Sequence, residues 1–282
     1  DSLLAQSLLD GVLVDHWRHE QGSRPQLASW SGANVSRLPD ITQDHVKRDA
    51  QFARAALLAL DDIQVDALTE DSYLSWLVLR WDMEMLSGWP AFYWTRLTDA
   101  SPGHSPLEVT NLILQGVPLN GIASAGRFLV LVNSVAPLIT AIQTGLAERG
   151  ARGIRLPKFV IPRSVAYIRS FISPPGVSPF ALPAGFTVHP DTLWQVLLER
   201  DVTEAIGQHI NPALEQLAAW LDSEYAAAPE RISLSQYPGG PAHYGMLVRH
   251  HTTLDITPED AHAIGLGEVA RAAALADEAR RA

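Results

Sequence analysis

Apolar residues recur every three to four positions along most of the chain, the period of an α-helix packed on one face. Near the start, Leu4, Leu8 and Val12, flanked by Leu9 and Leu13, form one stripe and predict an N-terminal helix. Residues 22–40 are rich in Gly, Ser and Pro and read as a loop. Thr42 then offers a hydroxyl N-cap, and Val46, Ala53, Ala56, Leu57 and Leu60 share a face, so residues 43–60 predict a helix. Thr69 caps another, with Glu70 and Asp71 in the first turn, where carboxylates suit the helix dipole. Tyr73, Leu74, Trp76, Leu77, Leu79, Trp81, Met83, Met85 and Leu86 cover nearly every face of it, so it is expected to be mostly buried. Arg80, Asp82 and Glu84 within it are expected to form an internal ion pair or a solvated edge.

The segments "SGWPAFYW" and "TDASPGHSP" interrupt the period and predict a long irregular connection. Residues 120–150 carry the longest helical signal, which Pro137 should kink or split. Its most apolar window, residues 128–142, contains Asn133, Ser134 and Pro137, is short for a membrane span and reads as a buried helix. Pro162 opens a shorter helix through Phe171. The proline-rich residues 173–190 mark a possible subdomain break. Asn211-Pro212 reads as a cap followed by a first helical residue. Only "GFTVHP" and "RISLSQYP" offer strands. The expected fold is therefore all-α, a multi-helix bundle of long, mostly antiparallel helices over residues 1–282, with at most a minor strand pair.

Composition narrows the chemistry. With 282 residues the chain can bury a substantial core. A formal charge of −10 leaves no sequence-wide footprint for nucleic acid, and no membrane span is expected. The absence of cysteine excludes disulfides, Cys-ligated zinc, iron–sulfur clusters and thiol nucleophiles. The first residues lack the basic segment of a signal peptide, which leaves an exported and a cytoplasmic location equally open. Gly265-Leu-Gly267 sits in a helical run without a preceding strand, so no dinucleotide fingerprint is present.

Histidine concentrates in "PGGPAHYGMLVRHHTTLDITPEDAH", residues 238–262, at His243, His250, His251 and His262. Gly239-Gly240 suits a sharp bend or a close backbone approach. Residues 242–251 can be helical, which puts His243 and His250 on one face but roughly 10 Å apart along the axis. That is too far for both to bind one zinc, whose usual helical ligand spacing is i, i+4. Thr257-Pro258-Glu259-Asp260 starts a further helix. The one His-Glu pair, His19-Glu20, has Ser23 where a zinc-protease helix needs its second histidine.

The stretch "GGPAHYGMLVRHHTTLDITPEDAHAIGLGEVARAAA" resembles a signature of the bacterial domain-of-unknown-function family 885. The likeness is carried by Gly239, Gly240, Tyr244, Leu247, His251, Thr252, Thr253, Thr257, Pro258, Glu259, His262, Gly265, Leu266, Glu268 and Val269, with departures at His243 and Ile256. The upstream stretches "SRLPDITQDHVKRDAQFARAALLAL" and "LITAIQTGLAERGARGIRLPKFVI" extend it over most of the chain. Such proteins resemble zincin metallopeptidases with a helical, neurolysin-like fold, and their zinc helix comes after the stretch matched here. The resemblance therefore implies a non-catalytic N-terminal half of a zinc-dependent, peptidase-like hydrolase that contributes cleft walls, with no cofactor of its own. Zinc is expected only with the C-terminal half. Gly239, Gly240, His243, Tyr244, His250 and His251 are the candidate residues for contact with a peptide-like substrate. The expected partner is a C-terminal catalytic half or a second copy in a homodimer. The alternative is a helical binding or scaffold protein without catalysis.

Overall fold

The computed structural model describes residues 2–97, 100–103 and 105–281. Thr98, Asp99 and His104, which fall in the predicted irregular connection, lie outside the described residues. The chain is 73% helical and, among the described residues, has no strand. It divides into two compact units, one ending at Arg231 and one starting at Ile232.

The first unit holds ten α-helices among its described residues: α1 (Ser2–Ser23), α2 (Pro25–Trp30), α3 (Gln43–Asp61), α4 (Glu70–Gly88), α5 (Pro106–Gln115), α6 (Ile122–Asn133), α7 (Val135–Ala151), α8 (Ile161–Arg169), α9 (Leu193–Ala205) and α10 (Asn211–Ser223). Its apolar interior has two parts. Leu9, Ala53, Ala56, Leu60, Leu79 and Met83 form the smaller one, where α1, α3 and α4 meet. Phe128, Leu131, Val132, Val135, Ile139, Ile142, Ile168, Phe180, Leu214 and Leu217 anchor the larger one. Around it α10 packs on α7 and α8, and α6 on α9.

The expected helix starts at Thr42 and Thr69 are present. Each hydroxyl accepts a backbone N–H three residues on, from His45 at 3.2 Å and from Ser72 at 3.3 Å. The long apolar signal divides at Ser134 into α6 and α7, and Pro137 falls in the first turn of α7, where its missing N–H costs nothing. Together α6 and α7 make a 30-residue run whose best window has a mean hydropathy of 1.6, long and apolar enough to cross a membrane by length and composition, with 44% of that window buried in the fold.

Several expectations are corrected. Residues 22–40 are not all loop: Pro25 presets the φ angle of α2, a six-residue helix held by burial of Pro25 and Ala28 and by packing on α5. The irregular connection after α4 is a 3-10 helix, Trp89–Thr95, and further on it gives way to α5. Ser105 caps α5 by accepting from the N–H groups of Leu107 and Glu108, and Pro106 takes the first helical position. Helix α4 is not mostly buried. Leu79, Met83 and Met85 are inside, whereas Tyr73, Leu74, Leu77 and Val78 are exposed, because α1 and α3 cover only one side of it. Arg80 pairs with Asp61 and with Glu84 and lies over the Trp76 ring.

Neither strand candidate forms. His189 instead donates its N–H to the Gln195 side chain at 2.7 Å, ahead of α9. Leu234–Gln236 is a 3-10 turn started by the Ser233 hydroxyl, which accepts from Ser235 N–H. Helix α10 does start at Asn211 with Pro212 in its first turn, but Asn211 does not cap it: its side-chain amide donates to the Ser173 carbonyl at 2.9 Å instead. A π-turn, Ile206–Ile210, joins α9 to α10, with Asn211 N–H bonded to the Ile206 carbonyl five residues back. The wider turn accommodates the proline, which could neither donate to nor fit against a regular α-turn. The proline-rich residues 173–190 stay within the first unit, where Phe180 is fully buried and stacks on Phe171.

Candidate functional site

All six sequence-derived candidates lie in the second unit, on the turn before α11 (Gly240–Thr252) and on that helix. The turn is set by backbone demands. Gly239 caps the helix at φ 75°, the left-handed region that glycine enters without strain. Gly240 packs so tightly that a Cβ on it would lie 1.7 Å from the Leu234 carbonyl oxygen. Its N–H donates to the Tyr237 carbonyl at 2.9 Å, and His243 N–H donates to the Gly239 carbonyl at 3.0 Å. Tyr237 is buried, and that burial pushes its phenol above the ordinary tyrosine range. The two glycines thus have structural reasons to be glycine before any ligand is considered.

Helix α11 then separates the remaining candidates by environment. His243 is 3% exposed, Tyr244 is 51% exposed, His250 is half-buried and His251 is exposed. The rings of His250 and His251 meet edge to face with centroids 5.0 Å apart. Arg249, His250 and His251 occupy the last turn, where positive charge suits the helix dipole. Thr253 closes the helix at φ 58°, a left-handed value uncommon for a branched residue, with its N–H on the Arg249 carbonyl.

The following helix, α12 (Pro258–Arg281), starts with a reciprocal cap. The Thr257 hydroxyl accepts from Asp260 N–H at 3.1 Å, and the Asp260 carboxylate accepts from Thr257 N–H at 3.0 Å. The hydroxyl also donates to that carboxylate, and these hydrogen bonds hold Asp260 below the ordinary carboxylate range. His262 lies on α12 and is exposed. Among the described residues no group of three His, Asp or Glu side chains could hold a metal ion.

A second polar constellation, in the first unit, was not singled out from the sequence. The Asp49 carboxylate on α3 accepts from the Ser23 hydroxyl at 2.6 Å and pairs with His19 Nε2 at 3.0 Å, both on α1. His45 Nε2 lies 3.5 Å from the same carboxylate and 3.4 Å from the Ser23 hydroxyl. The His19 ring stacks on Phe52 at 3.9 Å. The arrangement has the residue types of a hydrolase triad but not its order. Ser23 donates directly to the carboxylate, and both imidazoles face that carboxylate, so no histidine stands in line between nucleophile and acid. It is a polar clasp between α1 and α3. The available signal was spacing: His16, His19 and Ser23 share one helical face, and so do His45 and Asp49.

These observations define an all-α protein whose second unit carries a histidine-bearing helix started by two glycines. The chain belongs to the family described as bacterial protein of unknown function (DUF885), which matches residues 25–282. No curated protein matches it. Among solved structures it is similar to "the putative lipoprotein from Colwellia psychrerythraea", with a TM-score of 0.77 and 18% sequence identity over 96% of this chain and 50% of that one. At that identity the likeness is one of fold. The chain spans half the length of this solved relative.

Proposed function

We propose that this chain acts as the non-catalytic helical half of a larger, zinc-dependent, peptidase-like hydrolase, contributing cleft wall rather than reacting groups. One observation carries the reading: 96% of the chain superposes on half of a longer solved molecule. The resemblance of residues 239–274 to a family signature upstream of a zinc helix supplies the reaction class. Within this reading Tyr244 and His251 are the side chains available to a peptide-like substrate, because they are exposed on α11. His250 sits beside them. Gly239, Gly240 and His243 position the helix that presents them.

The test is metal analysis and peptide hydrolysis on the purified 282-residue chain, alone and mixed with a C-terminal segment of a longer family member. The reading expects no stoichiometric zinc and no turnover from the chain alone, with turnover lowered by Tyr244→Ala in the reconstituted pair. Stoichiometric zinc together with hydrolysis by the isolated chain would overturn it.

A further inference from the structure

We propose that the joint between α9 and α10 binds one ordered water molecule, which bridges the Ser173 hydroxyl and the Asn211 side-chain carbonyl. The proposal does not depend on the hydrolase reading. Asn211 follows the π-turn and begins α10. Its side-chain amide donates to the Ser173 carbonyl at 2.9 Å. A backbone carbonyl only accepts, so that bond fixes which end of the carboxamide is nitrogen. The other end, Oδ1, is therefore an acceptor. Oδ1 is sealed from the surface, as is Ser173 Oγ, and among the described residues neither meets a hydrogen-bond partner. Burying a hydroxyl and an amide oxygen unpaired costs more than the entropy of holding one water. The 2.9 Å bond already ties the two residues together, which brings both oxygens within reach of one small molecule.

The backbone beside them supplies a third partner. Asn211 N–H bonds five residues back, to the Ile206 carbonyl. The next carbonyl in that register belongs to Gly207, and its donor would be Pro212, which has no N–H. Gly207 lies against the proline-rich segment that Ser173 opens: a Cβ on it would stand 3.8 Å from Pro175 Cγ. These groups select water by their hydrogen-bonding roles. Ser173 Oγ can donate, whereas Asn211 Oδ1 and the Gly207 carbonyl only accept. A water that accepts one bond and donates two matches that set, and three bonds is the usual number for an internal water. The three oxygens are neutral, so they offer a cation no charge to offset its lost hydration. The bound water fastens the start of the proline-rich segment to the π-turn, at the point where Pro212 leaves the helical ladder one bond short.

A high-resolution crystal structure of the full chain tests this, together with oxygen-17 relaxation dispersion of water on wild type and Ser173→Ala. The crystal is expected to show one density peak about 2.8 Å from both Ser173 Oγ and Asn211 Oδ1. In solution Ser173→Ala should shorten the residence of that water about tenfold, the worth of one buried hydrogen bond. Circular dichroism on the same samples checks that the variant keeps its helices. A Ser173 hydroxyl turned directly onto Asn211 Oδ1, with no peak between them, overturns the proposal. A peak held at about 2.4 Å by about six oxygens overturns the choice of water in favour of a cation. A residence time indifferent to Ser173→Ala overturns the bridge.

Discussion

Gly240 lies so close to Leu234 that a single added methyl would overlap the Leu234 carbonyl oxygen, at 1.7 Å. The contact pins the 3-10 turn Leu234–Gln236 to the start of α11. Gly240→Ala must therefore move backbone, not a flexible side chain, and should destabilise the second unit by about 3 kcal/mol. Gly239→Ala meets nothing within 4 Å and carries only the left-handed φ cost, about 1 kcal/mol. Urea unfolding of the two variants should rank them in that order, and equal losses would contradict the close-contact explanation.

Burial divides the histidines of α11. His243→Ala removes a buried ring and should cost about 2 kcal/mol or more. His251→Ala and Tyr244→Ala remove exposed side chains and should stay within about 0.5 kcal/mol of wild type. Thermal melts of the three variants check this.

Asp49 gathers Ser23, His19 and His45 onto one carboxylate. Asp49→Ala leaves those groups without their acceptor and should destabilise the α1–α3 packing by about 2 kcal/mol. A double-mutant cycle with Ser23→Ala should return a coupling of at least about 0.5 kcal/mol, because the pair is in direct contact. An additive result would mean that the clasp does not hold the two helices.

Two carboxylates make stability depend on acid. For Asp40, burial alone would raise the pKa; the hydroxyl and N–H of Thr42, with His45 and Arg48, outweigh it and hold the group below its ordinary 3.8. Asp260 is held below the same value by Thr257. A depressed folded-state pKa means that the contribution is complete above the unfolded value and lost as pH falls through the folded one. Acid titration followed by circular dichroism should therefore show wild type and Asp260→Asn diverging above about pH 4, wild type being the more helical. The two curves should converge as the pH drops below that range.

What the sequence determined was local. Helical period, the threonine caps at 42, 69 and 257, and the division of the long apolar run all depend on groups three or four residues apart, so they are written in consecutive letters. The all-α class and the family signature were legible for the same reason. The short helices α2 and α5 escaped because their stability comes from each other and from buried contacts, not from length. The exposed side of α4 escaped because periodicity reports which residues are apolar, not how many neighbours arrive to cover them. The helix start at Asn211-Pro212 was legible, but not the π-turn, Ile206–Ile210, that leads into it from α9. For the candidate site, the sequence placed six residues on one short segment, and only the tertiary structure decided which of them face inward. It also joined Ser23 to Asp49 across 26 positions, a distance that no local pattern encodes.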